Sequence, residues 1–131
     1  MVTKQDLRNY RSLEREIQDL EAEAKAITDS RTAKLSHTRT NGSHKGGLEI
    51  QVAHVMEMEK LIRSKSKILT AERMRIERAL DCLEAREREL IRLRYFYGYN
   101  WIRIQIRLER SERWIHAHHS AALKKLLTCA D

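Results

Sequence analysis

Apolar residues recur at steps of three or four along the first part of the chain, and most of the residues between them are charged or polar. This spacing predicts an amphipathic helix whose apolar face needs a partner helix. The helix is expected to start at Thr3, which has the spacing of a capping box with Asp6. Its apolar stripe consists of Leu7, Tyr10, Leu13, Ile17, Leu20, Ala24 and Ile27.

The periodicity lapses after the stripe, where Thr, Ser, Asn, Gly and His accumulate. This composition predicts a flexible connector at about residues 28–47. Its Lys and Arg side chains could contact phosphate, although a solvated loop is the favoured interpretation.

A longer pattern follows, in which an apolar residue returns every seven positions. The repeat predicts a long helix that packs in a coiled-coil manner. Polar residues at the companion positions Glu59, Ser66 and Arg73 lower the stability of the seam but can fix its register. Folding the first helix back on this one gives an antiparallel hairpin, and the spare apolar face favours a homodimer. The repeat consists of Val55, Ile62, Leu69, Ile76 and Leu83.

The pattern shifts at about residues 81–84, so a helix boundary or bend is expected there. The run at residues 84–89 alternates Arg with Glu, and we interpret it as a solvated helix face stabilised by intrahelical pairs. Residues 90–97 then form another amphipathic segment. It is expected to end at Gly98, because glycine enters the left-handed region freely.

Two short helical patterns end the chain, and a break near Ser111 separates them. Asn100 and Ser111 are placed to cap the two helices, while Ile104, Leu108 and Ile115 are spaced to form their shared core. This is the spacing of a helix-turn-helix. The outer face of the last helix carries side chains that can meet base edges and phosphates in a major groove, namely Glu112, Arg113, His116, Ala117, Ser120 and Lys124.

The composition agrees with an all-α fold and adds a preference for one kind of partner. The 131 residues include no Pro and four Gly, and 34% of them are charged, which favours helices with exposed surfaces. The formal net charge of +7 favours a polyanionic partner. No apolar run approaches the roughly 18 residues of a membrane span, so a cytoplasmic protein without a membrane partner is expected.

Candidate chemistry is sparse. Cys82 and Cys129 match no metal or redox spacing, and we interpret them as inert thiols of a reducing compartment. His116, His118 and His119 have no second ligand cluster, so neither a metal nor another cofactor is expected. His119 is expected to be partly buried. No Gly-rich phosphate loop or nucleophile with a base has a recognisable spacing, so the chain is not expected to be an enzyme.

The C-terminal residues resemble region four of bacterial sigma factors over about residues 80–126. The order of helices, connector and terminal helix-turn-helix along the whole chain resembles phage transcriptional regulators of the ArpU and RinA type. This resemblance implies a phage or prophage protein that binds double-stranded promoter DNA in a bacterial host, activates late genes and contacts host RNA polymerase. The similarity to region four rests on the run Arg86 to Tyr95, on Gly98, Trp101, Ile104, Leu108, Ser111 and Ile115, and on residues 122–126.

Carried over by position, the resemblance implies two sets of DNA contacts, while Trp101 is expected in the core. The base-reading residues would be Glu112, Arg113, His116 and Ala117. The residues at the DNA edge or backbone would be Arg94, Arg103, Arg110, Ser111, Trp114, Ser120 and Lys124.

Three positions depart from the pattern of that region. Gln105 stands where the pattern has a small residue, Arg107 where it has an apolar one, and Glu109 where it often has glycine. Gln105 is expected to crowd the crossing of the two helices, and Arg107 to extend its stem towards water. Glu109 must either adopt a left-handed conformation at a cost or use another form of turn.

The sequence therefore predicts a long antiparallel, coiled-coil-like helical hairpin at residues 1–83, followed by a helix-turn-helix DNA-binding domain at residues 84–131. The predicted function is that of a sequence-specific, homodimeric transcriptional regulator. Two alternatives stay open. One is an adaptor whose helices bind RNA polymerase or another phage component, and the other is a small terminase subunit, which also combines helical hairpins with a helix-turn-helix.

Overall fold

The computed structural model describes residues 1–37 and 45–129, with the side chains of residues 1–30 and 47–129. All regular secondary structure in these described residues is helical, so the predicted all-α fold is confirmed. No helix in the described part of the chain is long and apolar enough to cross a membrane. The elements are α1 (Lys4–His37), α2 (Lys45–Leu80), α3 (Ala85–Ile91), a π-helical segment (Arg92–Phe96), α4 (Trp101–Leu108) and α5 (Glu112–Thr128).

The chain divides into two compact units, and both long helices contribute to each unit. The larger unit contains Met1–Leu13 and Leu69–Asp131, and the smaller unit contains Glu14–Ile68. The functional boundary predicted between residues 83 and 84 stays a prediction.

The smaller unit is the antiparallel pairing of residues from α1 and α2, and the coiled-coil packing of these two helices stays a prediction. Ile17 and Ala24 of α1 are buried there, as are Val55 and Met58 of α2. Glu16 Oε2 pairs with Lys65 Nζ over 2.9 Å. Because both of these side chains remain partly in solvent, the pair contributes little stability, and the buried apolar residues hold this unit together.

The predicted connector is shorter in the structure than its composition indicated. Helix α1 continues to His37 and α2 begins at Lys45, while residues 38–44 lie outside the described residues. A lapse in apolar periodicity removes a packing face but no backbone hydrogen bond, and no Pro interrupts the ladder. Thr28 is accommodated because its hydroxyl donates to the Ala24 carbonyl over 2.9 Å.

The start of α1 forms the predicted capping box. The Asp6 amide donates to Thr3 Oγ1 and the Thr3 amide donates to Asp6 Oδ2, each over 3.0 Å. Arg75 of α2 lies 3.4 Å from the same carboxylate. The pKa of Asp6 is below its ordinary value because the Thr3 amide, the Thr3 hydroxyl and Arg75 all favour its charged form. These contacts fix the first turn of α1 against α2.

The first residues of the chain join the C-terminal helices in the main core of the larger unit. The Val2 amide donates to the Leu126 carbonyl over 3.3 Å, and the rings of Tyr10 and Phe96 lie 5.0 Å apart. The C-terminal helices therefore share this core with α1 and the end of α2. Its members are Val2, Leu7, Tyr10, Ile76, Ala79, Leu80, Leu83, Ile91, Tyr95, Phe96, Ala122 and Leu126.

The amphipathic segment predicted at residues 90–97 ends in the π-helical segment. The Tyr97 amide donates to the Arg92 carbonyl over 3.0 Å, which is the spacing of a π-helix. Gly98 follows with a φ of +71°, as its position predicted. The guanidinium of Arg11 occupies the space that a Cβ atom at Gly98 would need. Glycine is favoured here by its conformation, because a residue with a Cβ atom rarely adopts this φ, whereas the flexible end of Arg11 can move aside.

Candidate nucleic-acid interface

The helix-turn-helix consists of two capped helices around a small apolar core. The Arg103 amide donates to Asn100 Oδ1 over 2.8 Å, and the Trp114 amide donates to Ser111 Oγ over 3.2 Å, so both predicted caps are confirmed. The caps satisfy amides that the first turn of each helix leaves unpaired. The predicted core positions Ile104, Leu108 and Ile115 pack together with Leu90, Leu93, Tyr99, Trp101 and Trp114.

Glu109 adopts the left-handed conformation, with φ 54° and ψ 45°. Its amide donates to the Gln105 carbonyl, and the Arg110 amide donates to the same carbonyl over 3.2 Å. A residue with a Cβ atom holds this conformation at a cost of about 1 to 2 kcal/mol. Gln105 is half-buried, and Arg107 is exposed as expected. The turn therefore keeps its path without glycine, at the expense of local strain.

The four predicted base-reading residues lie on one exposed face of α5. Glu112, Arg113, His116 and Ala117 are all exposed, and their spacing places them on adjoining turns of the same side. Glu112 Oε1 lies 3.6 Å from His116 Nε2. Ser120 and Lys124 are also exposed further along the helix. The structure brings this set together, and its role in base reading stays a prediction.

Two predicted backbone-contacting arginines stack on aromatic rings beside α4. The Arg94 guanidinium lies 4.3 Å from the centre of the Trp101 ring and donates to the Tyr99 carbonyl over 3.1 Å. The Arg103 guanidinium lies 3.7 Å from the centre of the Tyr99 ring. Cation–π contacts restrict the long side chains, so both positive charges have defined positions.

Trp114 is enclosed between two side chains of the motif. Its ring stacks on His118 with the ring centres 3.8 Å apart, and the Arg110 guanidinium lies 5.1 Å from its centre. His118 Nδ1 donates to the Trp114 carbonyl over 2.9 Å. Trp114 thus supports the start of α5, next to the capping residue Ser111, and fixes the position of Arg110.

His119 is the buried polar residue that joins α5 to the rest of the motif. It is 6% exposed, and its Nε2 forms a hydrogen bond of 2.8 Å with the Tyr95 hydroxyl. The Trp101 ring meets His119 edge-on with the centres 4.9 Å apart, and it also contacts His116. Burial, assisted by the nearby charge of Lys4, lowers the pKa of His119 to about 4. His119 is therefore neutral at pH 7 and more deeply buried than the sequence indicated.

Glu87 is buried, although a solvated helix face was predicted for residues 84–89. Its side chain is buried, and Oε1 accepts a bond of 2.7 Å from Lys125 Nζ on α5 and one of 3.1 Å from the Glu84 amide. Burial raises the pKa of Glu87, but these donors outweigh it and the net shift is downward. The prediction of a solvated face is wrong at Glu87 because α5 covers this residue. The ion pair anchors the second half of α5 to α3.

Three arginines from different elements converge in a cleft for which the sequence contained no local signal. Arg86 comes from the first turn of α3, Arg107 from the last turn of α4, and Arg110 from the turn before α5. The cleft has a volume of about 330 Å³, and among the described residues no carboxylate lies within ion-pair distance of these arginines. The remaining lining residues are Glu89, Leu108, Glu109 and Trp114.

Cys82 and Cys129, which are far apart in sequence, lie close to one another near the end of α5. Partial desolvation and the neighbouring Cys129 thiol raise the pKa of the exposed Cys82 thiol to about 11. The Cys82 thiol also donates to the Ala79 carbonyl over 3.1 Å. No group of three His, Cys, Asp or Glu side chains suitable for a metal ion occurs in the described part of the chain.

Comparison with known proteins gives one match. Residues 79–127 match the family model described as sigma-70, region 4, which covers less than half of the chain. No curated protein and no solved structure matches. The match confirms the resemblance found at about residues 80–126. The C-terminal part of this chain thus carries a helix-turn-helix domain similar to region 4 of the sigma-70 factors.

Proposed function

We propose that this protein is a sequence-specific transcriptional regulator that reads double-stranded DNA with the outer face of α5. The single observation that carries this proposal is the exposed set at residues 112, 113, 116 and 117 on a helix that buried contacts hold in place. The similarity of residues 79–127 to a DNA-binding domain and the net charge of +7 support it. A rigid helix presents base-reading groups at low entropic cost.

Each side chain of this face has chemistry that suits a base edge. Arg113 can donate two parallel hydrogen bonds to O6 and N7 of guanine, and Glu112 can accept from the amino group of cytosine. The methyl group of Ala117 can contact the methyl group of thymine. His116 can donate or accept, depending on its tautomer. A binding site that contains guanine opposite Arg113 is therefore expected.

The arginines around the motif supply contacts to the DNA backbone. Arg110 is held by Trp114, and we assign it to phosphate together with Lys124. We add Arg86 to the predicted set, because it converges with Arg110 in a cleft where, among the described residues, no carboxylate lies within ion-pair distance of either guanidinium. Removal of one phosphate contact should make the slope of log affinity against log salt concentration less steep by about 1.

Replacement of Arg113 tests the reading face. Arg113→Ala should weaken binding to the preferred DNA site by about 1 to 3 kcal/mol and should relax specificity at one base pair. The preferred site comes from selection of bound fragments out of random DNA, and affinity is then measured by fluorescence anisotropy. Arg63→Ala, at an exposed position of the smaller unit, is the matched control. Equal discrimination between selected and scrambled DNA by Arg113→Ala and the control would remove Arg113 from the reading face.

The finer proposal is that the protein activates late genes of a phage and contacts host RNA polymerase. The similarity to a sigma-factor region supports a role at promoters. Transcription in vitro from a promoter that contains the selected site, with and without the protein, tests this directly. Increased transcript supports activation, whereas reduced transcript would identify a repressor.

We also propose that the protein acts as a homodimer. Leu61 and Ile68 lie seven residues apart on α2 and are exposed within the smaller unit, which is the spacing of a coiled-coil seam. Sedimentation equilibrium should give twice the chain mass. The double variant Leu61→Ser/Ile68→Ser should shift the protein to the monomer, and a wild-type monomer or a ring-shaped assembly would contradict the proposal.

A further inference from the structure

An apolar pair lies on the outer face of α4, away from the core of the helix-turn-helix. Ile102 is 69% exposed and Ile106 is 73% exposed, which are the highest values for large apolar residues in the described part of the larger unit. The two residues are one helical turn apart, so their side chains are neighbours on the surface. Single exposed apolar residues are common, but adjacent ones form a patch that requires an explanation.

The core of the motif does not need these two isoleucines. Helix α4 already buries Ile104, and Trp101 and Leu108 pack against the same core cluster. Because Ile102 and Ile106 face solvent, replacing them by polar residues leaves that core intact. We therefore look for a role of these two isoleucines in binding another molecule.

A basic row runs beside the apolar pair on the same helix. Arg103 and Arg107 are also one turn apart, and both are exposed. Among the described residues no carboxylate lies within ion-pair distance of either guanidinium. Arg103 is held over the Tyr99 ring, so at least one of the two charges is fixed beside the apolar pair. The outer face of α4 thus combines two parallel rows, one aliphatic and one cationic.

We propose that the outer face of α4, formed by Ile102, Ile106, Arg103 and Arg107, is a docking surface for an acidic amphipathic helix of a second protein. A helix with apolar residues at steps of three or four covers the isoleucines, and its flanking Asp and Glu residues pair with the arginines. Charge complementarity selects this partner over a second copy of the chain. Two copies of this face would oppose arginine to arginine, which disfavours their association. A DNA backbone satisfies the arginines but offers little aliphatic surface to the isoleucines.

A displayed library of amphipathic helices tests the proposal with the full-length protein as the target. The helices are about 20 residues long, so that helical structure forms readily. They carry Leu at positions i, i+3, i+4 and i+7, with the flanks made either acidic or basic. We expect acidic helices to be enriched and basic helices to be lost. Equal enrichment of both classes, or no enrichment of acidic helices, would overturn the proposal.

Variants of the target locate the binding site of the enriched helices. Ile102→Ser/Ile106→Ser should lower the affinity for an enriched acidic helix by at least about tenfold, and Arg103→Gln/Arg107→Gln should weaken it in a salt-dependent way. Met74→Ser is the matched control, since Met74 is 54% exposed on α2. Unchanged affinity in the isoleucine variant would overturn the proposal. Thermal unfolding of each variant confirms that the fold is retained.

Two further measurements separate this surface from its alternatives. If the isoleucine variant loses DNA affinity and keeps its affinity for the acidic helix, the face belongs to the DNA interface and the proposal is wrong. If it loses self-association instead, the face joins two copies of the chain and the proposal is also wrong. Retained DNA affinity and oligomeric state, together with lost helix binding, support the proposal.

Discussion

Acidification provides a quantitative test of the buried contact between His119 of α5 and Tyr95. His119 is 6% exposed, and its pKa is lowered from 6.5 to about 4, chiefly by burial and secondly by Lys4 and Arg94. Because the unfolded chain binds the proton more readily than the folded one, this contribution to stability is complete above about pH 6.5. It is lost as the pH falls from there towards 4. The difference of about 2.5 pKa units corresponds to about 3 kcal/mol at the acidic end.

The assay compares urea unfolding of wild type and of His119→Leu at about pH 7.5 and about pH 4.5. Wild type should lose about 2 to 3 kcal/mol more than the variant between these pH values. A Tyr95→Phe background removes the hydroxyl that the substitution would leave unpaired, since it lies 2.8 Å from His119 Nε2. Carboxylates such as Asp6, whose pKa is lowered mainly by the Thr3 amide, titrate alike in both proteins. Equal losses in the two proteins would refute the buried, neutral His119.

Three further predictions follow from contacts in the larger unit. Glu87→Ala should destabilise the protein by about 1 to 3 kcal/mol in urea unfolding, because it removes the buried acceptor of Lys125; a loss below 0.5 kcal/mol, roughly that of a surface substitution, would contradict the buried pair. Glu109→Gly should stabilise it by about 1 kcal/mol by relieving the left-handed strain, and Glu109→Ala, which keeps the Cβ atom, should not. Alkylation of Cys82 by iodoacetamide at about pH 8 should be slower than that of a free thiol, because its pKa is about 11. Cys129→Ser should increase this rate, because Cys129 helps to raise that pKa. A wild-type rate equal to that of free cysteine would contradict the raised pKa of Cys82.

Features that depend on neighbouring residues could be predicted from the sequence. Thr3, Asn100 and Ser111 cap their helices because a cap involves only the next few amides of the same chain segment. The left-handed position at Gly98 follows from the end of an apolar pattern for the same reason. Helical periodicity likewise predicted the antiparallel hairpin, since each stripe needs a cover. It did not predict where α1 ends, because helices continue through polar sequence when nothing interrupts the backbone ladder.

Features that depend on distant residues could not be predicted in this way. The charged run around Glu87 has the pattern of a solvated face, and only the approach of Lys125 from α5 turns one of its residues inward. The proximity of Cys82 to Cys129 likewise depends on how α5 packs. The arginine cleft needs three elements to converge, so the sequence contained no local signal that Arg86 lies beside Arg107 and Arg110. The exposed set at residues 112, 113, 116 and 117 was predictable because it lies on one helix, while its role in base reading stays a prediction.

Recognition of a DNA sequence by the outer face of α5 can be measured as the ratio of two affinities. The affinity of wild type for its selected duplex is compared with that for a scrambled duplex of equal length, over a series of salt concentrations. We expect a ratio of about 10³ or more that persists as both affinities fall with salt. A ratio near one at every salt concentration, or no binding to either duplex at low salt, would contradict it.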